Sequence, residues 1–413
     1  MRVFILVSGI VLSMGGWACA DLGSEFPAPS ETFEVKREGI SIKEGPPDKF
    51  IKGSFLVKSQ AFGPPTPFLV DATSIIVKKD GEVMALGKDY GVDPIFASLG
   101  TLPGGRLLPG DKVEVDYIYS YPRIDSLVRD RDGAEKIIKG KSVGAGPKPP
   151  VLPEGDTLAA NFYVPPFSKG NDAERFDVAG GGELPPTETT VGRVPRTLAK
   201  MKSGDKVKIV CWGDSVTNGG DASTKDKSFP LQLGRILREK FPAASIDLEV
   251  IAVGGSGSVH WLFPEVRKHP REPEKCDWKR VVEARPDVVV MEFVNDSYLR
   301  GEEFKKQYEE ALRRVQDLNA ELVLVTPHFV YPADMGFTSL KEPDKRPYIR
   351  ELKGFAKSKG LALGDTSGAW GNLWRRGIPY LSYLRNGINH PDDDGHLLMA
   401  EEIARCFASG ANQ

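Results

Sequence analysis

Between about 31 and 142, apolar and polar positions tend to alternate in short runs. Examples are Phe33-Glu34-Val35, Ser54-Phe55-Leu56-Val57, Ser74-Ile75-Ile76-Val77 and Lys112-Val113-Glu114-Val115-Asp116-Tyr117-Ile118-Tyr119. Turn signals such as Gly45-Pro46-Pro47, Asp80-Gly81 and Pro109-Gly110-Asp111 bound them. A period of two broken by frequent turns predicts antiparallel strands, and hence a β-sandwich-like domain over 21–143. The stretch 144–194 then loses periodicity and collects Pro147, Pro149-Pro150, Pro165-Pro166, Gly180-Gly181-Gly182 and Pro185-Pro186. This predicts a linker or a strap across a neighbouring domain, and the apolar Asn161-Phe162-Tyr163-Val164 favours the strap.

After about 195 the rhythm changes. Apolar runs at 206–212, 246–253, 287–294, 321–325 and, more weakly, 361–363 predict strands, with helices near 229–241 and 395–407. Between the third and fourth runs Phe304, Tyr308, Leu312, Val315 and Leu318 recur at three- and four-residue steps, which is one face of an amphipathic helix. Leu398, Ile403 and Phe407 make a similar face in the last helix. Val/Ile runs separated by helices specify a parallel sheet covered on both faces, an α/β domain over 195–413. In such sheets ligands bind beyond the carboxyl ends of the strands.

Composition narrows the function. The chain has 413 residues, with 44 Gly and 32 Pro but no Gly-x-y period, so it reads as two domains with long connections. Lys plus Arg total 55 against 57 Asp plus Glu, a balance that gives no electrostatic case for nucleic acid or an anionic membrane. Arg2, the apolar run from Val3 to Met14 and the small-x-small Ala18-Cys19-Ala20 have the three parts of a secretory signal over 1–20. That run is shorter than the ~20 apolar residues a membrane span needs, and no later transmembrane segment is visible. The expectation is secreted or periplasmic, with a lipoprotein on Cys19 ranked below it. Cys211, Cys276 and Cys406 remain, allowing at most one disulfide, and no Cys or His spacing matches a metal site.

Four polar clusters fall at strand ends. Gly213-Asp214-Ser215 follows the first predicted strand, Gly254-Gly255-Ser256-Gly257 the second and Asn295-Asp296 the third, while Asn389-His390-Pro391 precedes the last helix. All four should converge on one edge of the sheet.

In this order the clusters resemble the SGNH, or GDSL-type, hydrolase family over about 195–413. Gly213-Asp214-Ser215 matches the block that carries the nucleophile. Ala252-Val253-Gly254-Gly255-Ser256-Gly257 matches the second block, with Ala252 where Asn is usual, and Phe293-Val294-Asn295-Asp296 matches the third, with Phe293 in place of Gly. Gly387-Ile388-Asn389-His390 matches the last block but lacks its Asp. The resemblance implies a flavodoxin-like parallel sheet covered by helices, ester hydrolysis and no cofactor. It also implies an oxyanion hole made by the backbone N–H groups of Ser215 and Gly254 and the side-chain amide of Asn295.

Physically, a serine hydroxyl needs a base within hydrogen-bond reach, and His390, on a loop before the last helix, is the candidate. For the third member one inserted residue would bring Asn386 to the place of the missing Asp; an amide oxygen can orient an imidazole without supplying charge. Asp365, Asp392, Asp393, Asp394 or a Ser-His dyad are the alternatives, with Asn386 or the dyad preferred. Asp214 is expected to support its turn; Asp214, Gly255, His328 and Trp261 are the candidate substrate contacts. Secretion, a β-domain and aromatic residues near the expected rim (Trp261, Trp370, Trp374, Tyr380) suit an acylated carbohydrate. A secreted acetylesterase acting on glycans is therefore the leading expectation, against a lipase or arylesterase of broad specificity and a catalytically weakened glycan-binding protein on the same fold.

Overall fold

The eight residues Lys206–Gly213, apolar at most positions, form strand β1 at the heart of a five-stranded sheet. This is a computed structural model, and it describes residues 26–178 and 184–408, so the leader expected at 1–20 lies outside the described residues. With β2 (Ser245–Ala252), β3 (Val288–Glu292), β4 (Glu321–Val325) and β5 (Ala362–Gly364), β1 pairs in the order β2-β1-β3-β4-β5, every pair parallel. The order reverses between β1 and β3, and such a switch point opens a crevice at the carboxyl ends of the strands.

Alternation along β1 divides it between two cores. Val207, Ile209 and Cys211 face α1 (Pro195–Ser203), α2 (Phe229–Lys240) and α5 (Asp393–Ala404), whereas Val210 and Trp212 face α3 (Gly301–Asp317) and α4 (Pro347–Lys359). Fully burying each Val or Leu contributes ~1.5–3 kcal/mol, so both layers hold the sheet firmly. The predicted face of α3 is the buried one, with Phe304, Tyr308, Leu312 and Val315 inside. In α5 the buried stripe is His396, Met399, Ala400 and Ile403, and Leu398 is only half-buried. Cys211, Cys276 and Cys406 are buried free thiols.

The N-terminal part is antiparallel. Thr32–Ser41, Lys112–Ser120, Ile76–Lys79 and Glu82–Val83 form one sheet. The predicted run 54–57 is not a strand: Leu56 is buried, but the backbone turns into a short 3-10 helix at Val57–Ser59. A second sheet joins Arg123–Arg129 and Glu135–Ile138 to Thr157–Val164 and Glu174–Asp177. The stretch expected to be aperiodic over 144–194 thus supplies two strands, because its prolines fall before, between and after the strands and none lies within them. The last part of the same stretch runs along the α/β domain. Thr190 N–H donates to the Leu363 carbonyl and Gly192 N–H to the Cys406 carbonyl, covering the open edge at β5.

Candidate active site

Ser215 sits where β1 ends and the chain turns sharply. Asp214 fixes that turn, its side chain accepting from Val216 N–H at 3.0 Å and its carbonyl from Asn218 N–H at 2.9 Å. Asp214 also accepts from the backbone N–H of Asn295 (3.0 Å) and from its side-chain amide (2.9 Å), tying the end of β1 to the end of β3. Asp214 is fully buried and supports the turn; it offers nothing to substrate.

His390 arrives from the loop before α5. Its Nε2 lies 2.9 Å from Ser215 Oγ and its Nδ1 lies 2.8 Å from Oδ2 of Asp221. The expectation of Asn386 or a dyad is therefore corrected: the imidazole has a carboxylate partner, six residues after the serine. Asp221 has a positive φ of 63°, and the preceding Gly220 leaves room for the ring, since a Cβ there would lie 3.0 Å from His390 Cε1. Strain of this kind in a non-glycine residue persists only where neighbours enforce it. The neighbours are on α5. His396 Nε2 donates to the Gly220 carbonyl at 3.1 Å, and Asp393 accepts from Ser223 N–H at 2.8 Å. Asp392 caps the helix by accepting from Gly395 N–H.

Asn386 has a different part. Its side-chain oxygen accepts the backbone N–H groups of Ile388, Asn389 and His390 at 2.9–3.1 Å, which shapes the loop that carries His390. His328 works on the same loop, its Nε2–H donating to the Asn389 carbonyl at 2.8 Å over the ring of Trp370. Burial, then the nearby Arg346 guanidinium, push its pKa well below the ordinary histidine value, so it stays neutral. Fully buried, His328 is a positioning residue and not the substrate contact expected. Trp261 is also buried, packed edge to face on Trp212, and Trp370 and Tyr380 lie in the core. The aromatic rim read from the sequence is mostly interior.

The oxyanion donors divide. A Cβ built on Gly254 would lie 3.7 Å from Ser215 Cβ, and the backbone N–H groups of Ser215 and Gly254 donate to no group among the described residues. Asn295 departs from expectation: one amide hydrogen goes to Asp214 and the other to the Ser256 carbonyl at 3.1 Å, so in this arrangement neither is left for substrate. Gly255 is exposed beside Gly254.

Two further acids, which sequence reasoning assigned no chemistry, lie beneath. Glu292, the last residue of β3, accepts from Thr217 Oγ1 at 2.9 Å through one oxygen and has no partner for the other. Asp296 accepts from Ser258 N–H at 2.9 Å and from Tyr308 OH at 3.3 Å. Loss of water, reinforced by Asp214, drives the Glu292 carboxyl well above its usual range; the same loss raises Asp214 to about 6 and Asp296 to about 7. Among the described residues no group of His, Cys, Asp or Glu has the geometry to hold a metal ion.

The GDSL-like Lipase/Acylhydrolase family matches residues 211–398, the segment holding Ser215, Asp221 and His390. No curated protein sequence matches the chain. Among solved structures, a two-domain esterase active on acetylated mannans, co-crystallised with mannopentaose, is 20% identical over 52% of this chain and 53% of its own, with a TM-score of 0.40. The chain thus spans about half the length of that esterase. An acetyl xylan esterase variant from Geobacillus stearothermophilus is 18% identical over 50% of this chain and 97% of its own, with a TM-score of 0.38. A GDSL-like protein from Parabacteroides merdae is also 18% identical, over 48% and 93%, at 0.36.

Proposed function

Starting from the GDSL-like acylhydrolase domain that residues 211–398 carry, we propose that this protein is a serine esterase that removes acetyl groups from a carbohydrate outside the cytoplasm. The observation that carries the reading is the unbroken chain Ser215 Oγ, His390 imidazole, Asp221 carboxylate, beside unpartnered backbone N–H groups. The signal-like segment 1–20 supports the location. No helix among the described residues is long and apolar enough to cross a membrane.

In this mechanism Ser215 Oγ attacks the ester carbonyl carbon while His390 Nε2 takes its proton. Asp221 accepts the Nδ1–H, fixing the tautomer and stabilising the imidazolium that forms. The tetrahedral oxyanion is met by the N–H groups of Ser215 and Gly254, each such donor being worth ~3 kcal/mol in the transition state. Collapse expels the sugar hydroxyl with the proton from His390. Water, activated by the same imidazole, then attacks the acyl-serine and releases acetate. Asn295 and Asp214 hold the two strand ends in register.

Acetyl release from acetylated xylan or pectin by wild type and Ser215→Ala tests this. The expected result is release by wild type and a loss of at least about 10³-fold in the variant. Equal release by both would remove the serine mechanism, and turnover confined to long acyl esters would move the protein to the lipases.

A further inference from the structure

Beyond Gly254 the surface carries groups that hydrolysis does not use. A Cβ built on the exposed Gly255 would lie 3.2 Å from Nη2 of Arg271 and 3.7 Å from Nε2 of His269. The Arg271 guanidinium therefore lies over the bare face of Gly255. It is exposed and makes no ion pair or hydrogen bond among the described residues, while its neighbour Glu272 is already taken by Lys275 at 2.5 Å. One Cα step of about 3.8 Å separates the residue beside Ser215 from the residue beneath Arg271. The guanidinium is thus within one or two sugar rings of the ester.

Behind Arg271 are two buried imidazoles, His269 and His260, 2% and 6% exposed, with ring centres 5.3 Å apart. Nδ1 of His260 accepts the Gly257 N–H and Nδ1 of His269 accepts the Glu272 N–H, each at 2.9 Å. A neutral imidazole that accepts at Nδ1 carries its proton on Nε2, and both Nε2 atoms are buried without a partner. Burial lowers His260 to about 4, which keeps it neutral. A protonated nitrogen has no lone pair for a metal, so these groups call for an oxygen acceptor. A buried donor left unpaired is costly, and the planar guanidinium beside His269 matches a carboxylate in two-point geometry.

Resting on the esterase reading above, we propose that Arg271, backed by His269, forms an anion subsite. It selects acylated glycans in which the esterified sugar or its neighbour is a uronic acid.

The test compares kcat/KM for acetyl release from acetylated polygalacturonate with that from the same polymer after methyl esterification of its carboxyls, using wild type and Arg271→Gln. Wild type should prefer the free-carboxylate polymer by about 10-fold, 0.5 M NaCl should reduce that preference, and R271Q should bring the ratio to within about 2-fold of one. Equal use of both polymers by wild type, release from neither, or a preference that R271Q leaves intact would overturn the subsite. Turnover of p-nitrophenyl acetate by wild type and S215A judges the esterase reading separately. Loss in S215A without a carboxylate preference refutes the subsite alone, and turnover retained in S215A refutes the esterase reading itself.

Discussion

Asp214, Glu292 and Asp296 crowd three carboxyl groups beneath Ser215 with almost no water around them. A carboxyl whose folded pKa exceeds its unfolded value binds more protons when folded. Its stabilising effect is complete below the unfolded value near 4 and is lost as pH rises through the folded value. For Asp214 that loss starts near 4 and is complete by about 6, and for Asp296 by about 7, with Glu292 higher still. The buried histidines act in the opposite direction. His396, lowered to about 4 by burial, adds stability as pH rises from there toward 6.5. Glu292→Gln isolates the carboxyl effect, because the amide is neutral at every pH and keeps an oxygen for Thr217. Urea unfolding of E292Q and wild type from pH 5 to 8 should show the variant gaining on wild type by about 1.4 kcal/mol per pH unit at most. A difference that stays flat across that range contradicts a protonated Glu292.

At the scale of elements, the strands and helices of the C-terminal domain were legible because each buries a periodic face. Strand β4 falls on its predicted run 321–325, and α2 ends within a residue of its predicted end. The order of polar clusters at strand ends was legible too, which brought Ser215, Gly254 and His390 together on one edge. Asp221 was not. It belongs to no strand or helix, and the reading of the last block drew attention to residues near His390 in sequence, where Asn386 shapes the loop instead. The available signal was Gly219-Gly220-Asp221, a turn just past the serine whose second glycine admits the imidazole. The hold that His396 and Asp393 take on the Asp221 turn was equally hidden, since only the packed position of α5 shows that its first turn anchors that segment.

Across the whole molecule, the N-terminal β-region braces the loop of His390 from behind. Thr66 Oγ1 donates to the Asn386 carbonyl at 3.2 Å, and Ile388 packs with Phe96 of the β-region and Tyr331. Nothing in a one-dimensional pattern joins residues 320 positions apart. Gly387 is the closest point of this contact, with φ +69° and an ideal Cβ 2.6 Å from Thr66 Cγ2. Gly360, with φ +64° and nothing within 4 Å of its Cβ position, is the matched control. Ala at either site carries the ~1–2 kcal/mol cost of a left-handed backbone. Only Gly387→Ala must also displace Thr66 and move the loop, so kcat should fall by about 10-fold or more in G387A, as misplacement of this order does, and stay near wild type in G360A. Unchanged kcat in G387A contradicts the brace.

The central claim is that Asp221 completes the site, and Asp221→Asn tests it most directly. Asn is nearly isosteric and tolerates a positive φ, so the turn survives while the charge and the acceptor pattern change. With p-nitrophenyl acetate as substrate, kcat should fall by about 10³–10⁴-fold, as loss of a triad carboxylate does, with the melting temperature near that of wild type. A kcat within about 3-fold of wild type in a folded D221N protein would show that His390 works without this carboxylate.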